Sequence, residues 1–376
     1  MLEELPESLD ATYERILREI IKPNQGHAHR LMQCLVAAAR PLRVKELAEV
    51  LAFDFNVEGI PKLNPGWRWE DHEEAVMSAC SSLVMIVKDG DSRVVQFSHF
   101  SVKEFLTANR LVEPIKDVSH YHIRLEAAHT ILAQACLGVL LRLDDSIDRD
   151  KIEDFPLARY AAQYWATHAR FENTSSRIKD GMECLFDADR PHFATWLWIF
   201  NQDRGGRSIA TMSPEKPEAV PLYYVARLGF CDLAKHLIDS HPEHVNARGG
   251  ADVTPMHAAT YEGHVDFLSL LLDHGADVDV RGSEGATPLH HASSIGDFEV
   301  GQRLLARGAD INARGEYGWT PLHWAVIGKD VRSVRFLLEC GADVNARGDS
   351  GDTPPQHTSE PEIVGLLSQY SAKSAE

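Results

Sequence analysis

The second half of the sequence repeats with a period of 33 residues, and this period limits the possible folds more than any other feature. A Thr-Pro-apolar-His motif occurs three times in this half, and a changed copy follows it. The copies begin at Thr254, Thr287, Thr320 and Thr353. A Gly-Ala-Asp motif keeps the same spacing at Gly275, Gly308 and Gly341. Because two motifs share one period, the sequence predicts a tandem-repeat protein.

The residue types explain how one repeat folds. Threonine can cap the first helix, and proline at the first helical position loses no hydrogen bond. The apolar pairs at Leu271, Leu304 and Leu337 lie on a second helix, which the following glycine ends in a left-handed conformation. One such helix pair cannot close a core, so the repeats must stack into a solenoid. A weaker leading copy begins at Val220, and the segment after Thr353 predicts a C-terminal cap.

This repeat resembles the ankyrin repeat. The resemblance implies that a protein partner binds the concave helix face and the hairpin tips. The matching positions hold Tyr261, Glu262, Ser294, Ile295 and Ile327 on the concave face, and Glu284, Glu316, Tyr317 and Trp319 at the tips. Exposed tyrosine and tryptophan are typical binding anchors. Taken one at a time, these positions can equally be unconstrained surface.

Histidine and arginine also recur at the repeat spacing. For His257, His290 and His323 the resemblance implies hydrogen bonds between hairpin and helix rather than metal binding, so the sequence predicts no metal site. An arginine ladder either faces an acidic partner or repeats a consensus residue. It consists of Arg248, Arg281, Arg314 and Arg347.

Three predicted helices followed by a hairpin in the first half have the order of a winged helix. The helices lie at about 29–39, 44–51 and 71–81, and the strands at 83–87 and 93–97. A winged helix raises DNA binding as a hypothesis. The third helix, however, begins with Glu70, Asp71, Glu73 and Glu74, whose carboxylates repel phosphate.

Several segments of this half resemble the region that follows the NACHT nucleotide-binding core of fungal NOD-like receptors of the NACHT and ankyrin type. These segments are LPESLDATYERIL, ARPLRVKELAEVL, CSSLVMIV and VVQFSHFSVKEFLTANRL. In that family of signal-transducing NTPases, a winged-helix histidine contacts the β-phosphate of ADP. The resemblance places His99 at that position as a cofactor-binding residue if an upstream NACHT core is present. Alternatively, His99 caps the hairpin or the next helix.

A phosphate-binding loop of the type GxxxxGK[ST] does not occur in the sequence. Motifs of serine hydrolases and zinc proteases are also absent. We therefore predict a non-enzymatic module without a cofactor of its own, with the family's NTPase core expected before residue 1. The chain is then either a part of a larger receptor or a stand-alone descendant of one.

Composition limits the partners and the compartment. The net charge is −18, which argues against nucleic acid and anionic membranes as default ligands. The six cysteines are scattered, as is typical of a reducing compartment, and no apolar run is long enough to span a bilayer. These features predict a cytoplasmic protein, with the nucleus as a second possible compartment.

The predicted fold class is mainly α, with a winged-helix and helical region followed by an ankyrin-repeat α-solenoid. The predicted domains are a linker helix at 1–22, a winged-helix-like domain at 23–112, a helical domain at 113–201, a linker at 202–219, and about four ankyrin repeats plus a cap at 220–376. The predicted function is an ankyrin sensor or adaptor, attached to the regulatory winged helix of a NOD-like receptor and active in innate-immune-like signalling. The alternative is the carboxyl part of a complete signalling ATPase or GTPase. A nuclear DNA-binding regulator is a third possibility.

Overall fold

The structure is a computed structural model. It describes residues 9–57, 59–80, 82–108, 111, 118–202, 213–215, 217–249 and 252–373. The chain divides into two compact units, Met1–Lys216 and Pro217–Glu376. Among the described residues, no helix is both long and apolar enough to cross a membrane.

The first unit begins with five helices and five short strands. The helices are α1 (Leu9–Glu19), α2 (Gln25–Ala37), α3 (Val44–Leu51), α4 (His72–Cys80) and α5 (Phe100–Thr107); the strands are β1 (Leu42–Arg43), β2 (Phe53–Asp54), β3 (Lys62–Leu63), β4 (Val84–Asp89) and β5 (Ser92–Phe97). The antiparallel order β1-β5-β4 forms one sheet, and β2 pairs with β3. Helices α2, α3 and α4, followed by the β4–β5 hairpin, have the predicted winged-helix order.

The hairpin forms because β-favouring residues flank a tight turn. Gly90 takes a φ of +56° in this turn, a conformation that glycine adopts without steric cost. Val94 and Val95 are buried in the sheet. Helix α1 packs on α5 through Tyr13, whose hydroxyl lies 2.7 Å from Ser101 Oγ. Leu9, at the start of α1, is exposed.

The described residues that follow in the first unit are mainly helical. They form α6 (Leu125–Leu140), α7 (Ala158–Ala169), α8 (Thr174–Arg177), α9 (Lys179–Leu185) and α10 (His192–Gln202). An aromatic cluster fills the core between α7, α9 and α10, with Trp165 and Trp196 rings 6.0 Å apart in edge contact. A buried polar chain crosses this core: Tyr160 Oη lies 2.9 Å from His168 Nε2, and His168 Nδ1 lies 2.9 Å from His129 Nδ1. Burial lowers the pKa of His168 to about 3, which keeps its imidazole neutral.

The second unit is a stack of helix pairs. The pairs are α11 (Pro221–Leu228) with α12 (Cys231–Ser240), α13 (Pro255–Tyr261) with α14 (Val265–Asp273), α15 (Pro288–Ile295) with α16 (Phe298–Ala306), and α17 (Pro321–Ile327) with α18 (Val331–Glu339). The first helices of successive pairs contact one another, as do the second helices, and a final helix α19 (Pro361–Lys373) packs on α18. The mainly α fold with a repeat solenoid is therefore confirmed.

Each Thr-Pro-apolar-His motif forms a reciprocal cap at the start of a first helix. In the second copy, the Thr287 amide donates to His290 Nδ1 at 3.1 Å, and His290 Nε2 donates to the Trp319 carbonyl of the next repeat at 3.0 Å. His257 makes the equivalent pair of contacts. Both imidazoles are almost fully buried, and burial lowers the pKa of each to about 4. They are therefore neutral structural groups.

The changed fourth copy keeps the cap with a different side chain. Gln356 stands where the other copies have histidine, and its Oε1 accepts from the Thr353 amide at 2.7 Å. A glutamine side chain can thus replace the capping function of the imidazole.

Left-handed residues end the helices as predicted. Gly275, Gly308 and Gly341 have φ between +83° and +95°. At the turn inside the fourth pair, Lys329 has a φ of +58°, close to the +74° of its counterpart Gly296 in the third pair. The chain therefore keeps the glycine-type turn here with a lysine.

The neutral histidines predict an acid-dependent stability of the second unit. The unfolded chain protonates these imidazoles below pH 6.5, whereas folded His290 does so only near pH 4. Its contribution is thus fully present above pH 6.5 and is lost as the pH falls towards 4, up to about 3 kcal/mol. We expect His290→Gln to lose about 2 kcal/mol less stability than the wild type between pH 7 and pH 4.5. Urea unfolding followed by circular dichroism at both pH values measures this difference.

Titrating carboxylates are common to both proteins and cancel in the comparison. Gln356 is the internal precedent for the substituted side chain. An identical pH dependence of the two proteins would contradict a neutral, buried His290.

Candidate protein-binding surface

The exposed side of the first helices, here called the inner face, carries large apolar side chains at the helix ends. Tyr261 is 65% exposed, Ile295 47% and Ile327 44%. Each lies in the last turn of α13, α15 or α17. Tyr261 and Ile327 share one position of the repeat, which Ser294 holds in the repeat between them, and Ile295 follows Ser294. Exposed apolar residues grouped on one face are typical of interaction surfaces. The predicted residues Glu262 and Ser294 are exposed on the same face.

A cleft of about 250 Å³ opens in the inner face across α11, α13 and α15. Its lining consists of Tyr223, Arg227, Val253, His257, Ala258, Tyr261 and His291. The volume is below the roughly 300–1,000 Å³ of small-molecule sites. The cleft therefore suits one inserted side chain of a partner better than a metabolite.

Charge at the rim of this cleft is already paired. Arg227 Nε and Nη2 donate to Glu262 Oε1 at 3.1 and 3.0 Å. Inside the cleft, burial lowers the pKa of His291, so this imidazole offers a neutral donor and acceptor. Sequence reasoning missed Arg227 and His291. The repeat register could have found Arg227, which stands 34 residues before Tyr261, the spacing of the leading copy.

The hairpin tips hold two residues in left-handed conformations that glycine usually occupies. Glu284 has a φ of +68° and Tyr317, 33 residues later, has a φ of +57°. This region costs a non-glycine residue about 1 kcal/mol. Tyr317 is nevertheless 58% exposed, so its ring recovers little of this cost by burial. Backbone strain of this kind concentrates at functional sites.

Local contacts orient Tyr317 without burying it. Its hydroxyl is hydrogen-bonded to the neighbouring Glu316 carboxylate, which raises the pKa of Tyr317. Its carbonyl accepts from the Asp349 amide of the next tip at 2.7 Å. The tip is thus fixed to its neighbour, while the aromatic ring faces outwards.

Trp319, also predicted as a partner-binding residue, is only partly exposed. Its Nε1 donates to Asp352 Oδ2 at 2.8 Å, and its ring stacks parallel to His323 at 6.2 Å. Its carbonyl is the acceptor for His290. These contacts give Trp319 a role in joining two successive repeats.

The arginine ladder joins successive hairpins. Arg248 Nη1 donates to the Arg281 carbonyl at 2.7 Å, and Arg281 Nη1 donates to the Arg314 carbonyl at 2.6 Å. Arg314 Nη2 bonds Asp349 at 3.1 Å. The repeated consensus residue is therefore used internally, and these guanidinium groups are partly occupied.

His99 lies on the surface of the winged helix. It is the N-cap of α5: its Nδ1 accepts from the Ser101 amide at 3.3 Å and lies 2.6 Å from Ser101 Oγ. Its ring lies 4.3 Å from that of Phe100, which is 73% exposed. His99 thus performs the helix-capping role, and its contact with a phosphate stays a prediction.

Two protein families match the chain. The family described as "Ankyrin repeats" matches three copies within residues 222–315 and 284–348. The family described as "GPI inositol-deacylase, winged helix domain" matches residues 17–115. The chain therefore contains an ankyrin-repeat solenoid and a winged-helix domain.

Three curated proteins are similar to parts of the chain. "Azaphilone pigments biosynthesis cluster protein L" of Monascus ruber is 32% identical over 292 residues, which is 73% of this chain and 61% of that protein. "Alpha-latrocrustotoxin-Lt1a" of Latrodectus tredecimguttatus is 38% identical over 56 residues, 15% of this chain and 4% of the toxin. "BCL-6 corepressor-like protein 1" of Mus musculus is 42% identical over 55 residues, 15% of this chain and 3% of that protein. The chain thus spans less than two thirds of each relative.

The different environments of the two tip aromatics predict different effects on stability. We expect Tyr317→Ala to change the free energy of unfolding by less than about 0.5 kcal/mol, because the ring is exposed. Trp319→Ala removes a stacked ring and a hydrogen bond, and it is expected to cost about 2 kcal/mol. Urea unfolding at pH 7 compares the two variants. Equal losses would contradict the structural role of Trp319.

Proposed function

We propose that the chain is a non-enzymatic protein-interaction module in which the inner face and the hairpin tips bind a protein partner. The observation that carries this proposal is Tyr317, a large aromatic residue that is exposed on a left-handed backbone. A left-handed φ disfavours any residue with a Cβ, and the exposed ring gains little by burial, so contact with another molecule would give this tyrosine a use. Tyr261, Ile295 and Ile327 supply apolar area on the neighbouring inner face.

We further propose that the winged helix couples this module to a NACHT-type nucleotide-binding core, as in NOD-like receptors. The winged-helix match over residues 17–115 and the ankyrin matches stand in the order that such receptors have. Exposed His99 and Phe100 supply a surface for docking of the core. Occupancy of the ankyrin partner site would then be transmitted to the core as an innate-immune-like signal, in the cytoplasm or the nucleus.

The second candidate function is the carboxyl part of a complete signalling ATPase or GTPase. The chain spans 61% of the Monascus relative, which is consistent with a longer functional protein. A fungal source fits both candidates, and the name of that relative associates the Monascus protein with a pigment biosynthesis cluster. A DNA-binding regulator is less well supported, because the first turn of α4 holds Glu73 and Glu74.

Partner capture tests the module. We expect Tyr261→Ala combined with Tyr317→Gly to reduce partner recovery at least about tenfold, since aromatic anchors carry most of the binding energy. The Tyr317→Gly change relieves backbone strain, so the thermal midpoint should stay the same or rise. The measurement is affinity capture from source cells, with quantitative mass spectrometry of the retained proteins.

Val364→Ala is the matched control, because Val364 is 40% exposed in the last helix and lies outside the inner face. A partner that is retained by the wild type and by this control, and lost from the double variant, supports the proposal. Unchanged recovery with the double variant would disprove the proposed surface.

Nucleotide binding tests the non-enzymatic assignment. We expect the chain alone to show no ATP or GTP binding at micromolar concentrations in calorimetry, because its sequence has no phosphate-binding loop. Micromolar binding would refute the module. An immunoblot of source cells against the ankyrin unit then separates the two candidates: a band near 41.9 kDa favours the module, and a much larger band favours the signalling NTPase.

A further inference from the structure

Three potential metal ligands meet at the C-terminal end of the solenoid. His323 lies in α17, Asp352 precedes the capping turn, and His357 ends that turn. One ligand atom from each residue lies within 4.8 Å of the other two. His357 Nε2 and Asp352 Oδ2 are already 2.6 Å apart. Residues 34 positions apart in sequence thus form one compact group.

The buried histidine in this group has an unused nitrogen. In the two preceding repeats, the equivalent Nε2 atoms of His257 and His290 donate to a carbonyl of the next repeat. His323 is fully buried, and it faces the Asp352 carbonyl, the equivalent acceptor, but its Nε2 forms no hydrogen bond of normal geometry. Buried polar atoms are nearly always paired, and a bound metal ion is one partner that this nitrogen could have.

The other ring nitrogen of His323 has a partner in either tautomer. The Thr320 amide lies 3.1 Å from Nδ1 and donates to it when Nε2 carries the proton. Thr320 Oγ1 lies 3.0 Å from Nδ1 and accepts from it when the proton is on Nδ1. The second arrangement frees the Nε2 lone pair for a metal, at the cost of the amide bond. A histidine that binds a metal through one ring nitrogen usually donates a hydrogen bond from the other, as Nδ1 would do here to Thr320 Oγ1.

The carboxylate is also oriented from outside the group. Trp319 Nε1 donates to Asp352 Oδ2 at 2.8 Å, and the indole ring contacts both histidine rings. The side chains of Asp352 and His357 are 21% and 23% exposed, which leaves a path for an ion from solvent. The three donors are therefore held in place, and the site is reachable.

We propose that His323, Asp352 and His357 form a divalent-cation site of the zinc class. Two imidazoles and one carboxylate are typical zinc ligands, and three protein ligands leave the fourth tetrahedral position for water. Calcium and magnesium prefer all-oxygen sites and fit this donor set poorly. Small side-chain movements bring the donors to zinc–ligand distances of about 2.0–2.2 Å.

The metal would clamp the end of the solenoid. It would join α17 of the last complete repeat to the capping turn Pro354–His357, which is a single short 3-10 helix. Terminal repeats lack a neighbour on one side, and their order depends on the cap. The site thus makes the stability of this cap dependent on zinc, and it does not depend on the proposed partner-binding function.

Metal titration of the full chain tests the site. Zn²⁺ at about 100 times its dissociation constant should raise the thermal midpoint of the ankyrin unit by about 5 °C. Co²⁺ should give the visible absorption of a tetrahedral complex. We expect His357→Gln to weaken the binding of both ions at least about tenfold and to abolish the metal-dependent shift. Comparing shifts, rather than midpoints, separates metal binding from any direct effect of the substitution on folding.

His244→Gln is the matched control, because His241, Glu243 and His244 form the other such donor group among the described residues. This variant should keep the full shift. Binding that survives in His357→Gln, or that is lost only in His244→Gln, would overturn the proposal. Absence of micromolar zinc binding by the wild type would also overturn it.

Discussion

In two successive ankyrin repeats a neutral imidazole, His257 or His290, makes two hydrogen bonds at once and so ties its repeat to the next one. One nitrogen accepts from the threonine amide that starts its own helix, and the other donates to a carbonyl of the next hairpin. The contact therefore fixes the helix start and the spacing between repeats together. Burial keeps the ring neutral, because removal from water disfavours the charged form. The cap needs this neutral form, since a protonated imidazole has no nitrogen left to accept a hydrogen bond. This contact therefore also sets the positions of the hairpin tips and of the inner-face residues.

The proposed binding surface uses side chains that take no part in these capping contacts. Tyr317 occupies a backbone conformation that favours glycine, and Tyr261 covers an open cleft. Both residues keep large exposed side chains. Trp319 has the same chemical character but stacks on His323 and bonds Asp352. The two tip aromatics thus differ: the Tyr317 ring is exposed, whereas Trp319 holds successive repeats together.

The fold of the winged helix could be predicted from local sequence signals. Its hairpin, its helices and their order could be predicted, because alternating apolar residues and a tight turn are local properties. The exposed start of α1 could not, since burial depends on the elements that pack on a helix. His99 illustrates this limit. The sequence around it resembles a phosphate-contacting motif, whereas in the structure its side chain caps α5 by accepting from the Ser101 amide.

The repeat period and the fold class follow from the sequence alone, because a fixed spacing of capping and apolar residues leaves one way to stack. Which of the predicted surface residues are exposed, and which pack between repeats as Trp319 does, depends on tertiary contacts. The cleft needs side chains from three helices, and the group of His323, Asp352 and His357 forms because the capping turn folds back onto α17. Such contacts join residues about 30 positions apart, so no local pattern in the sequence records them.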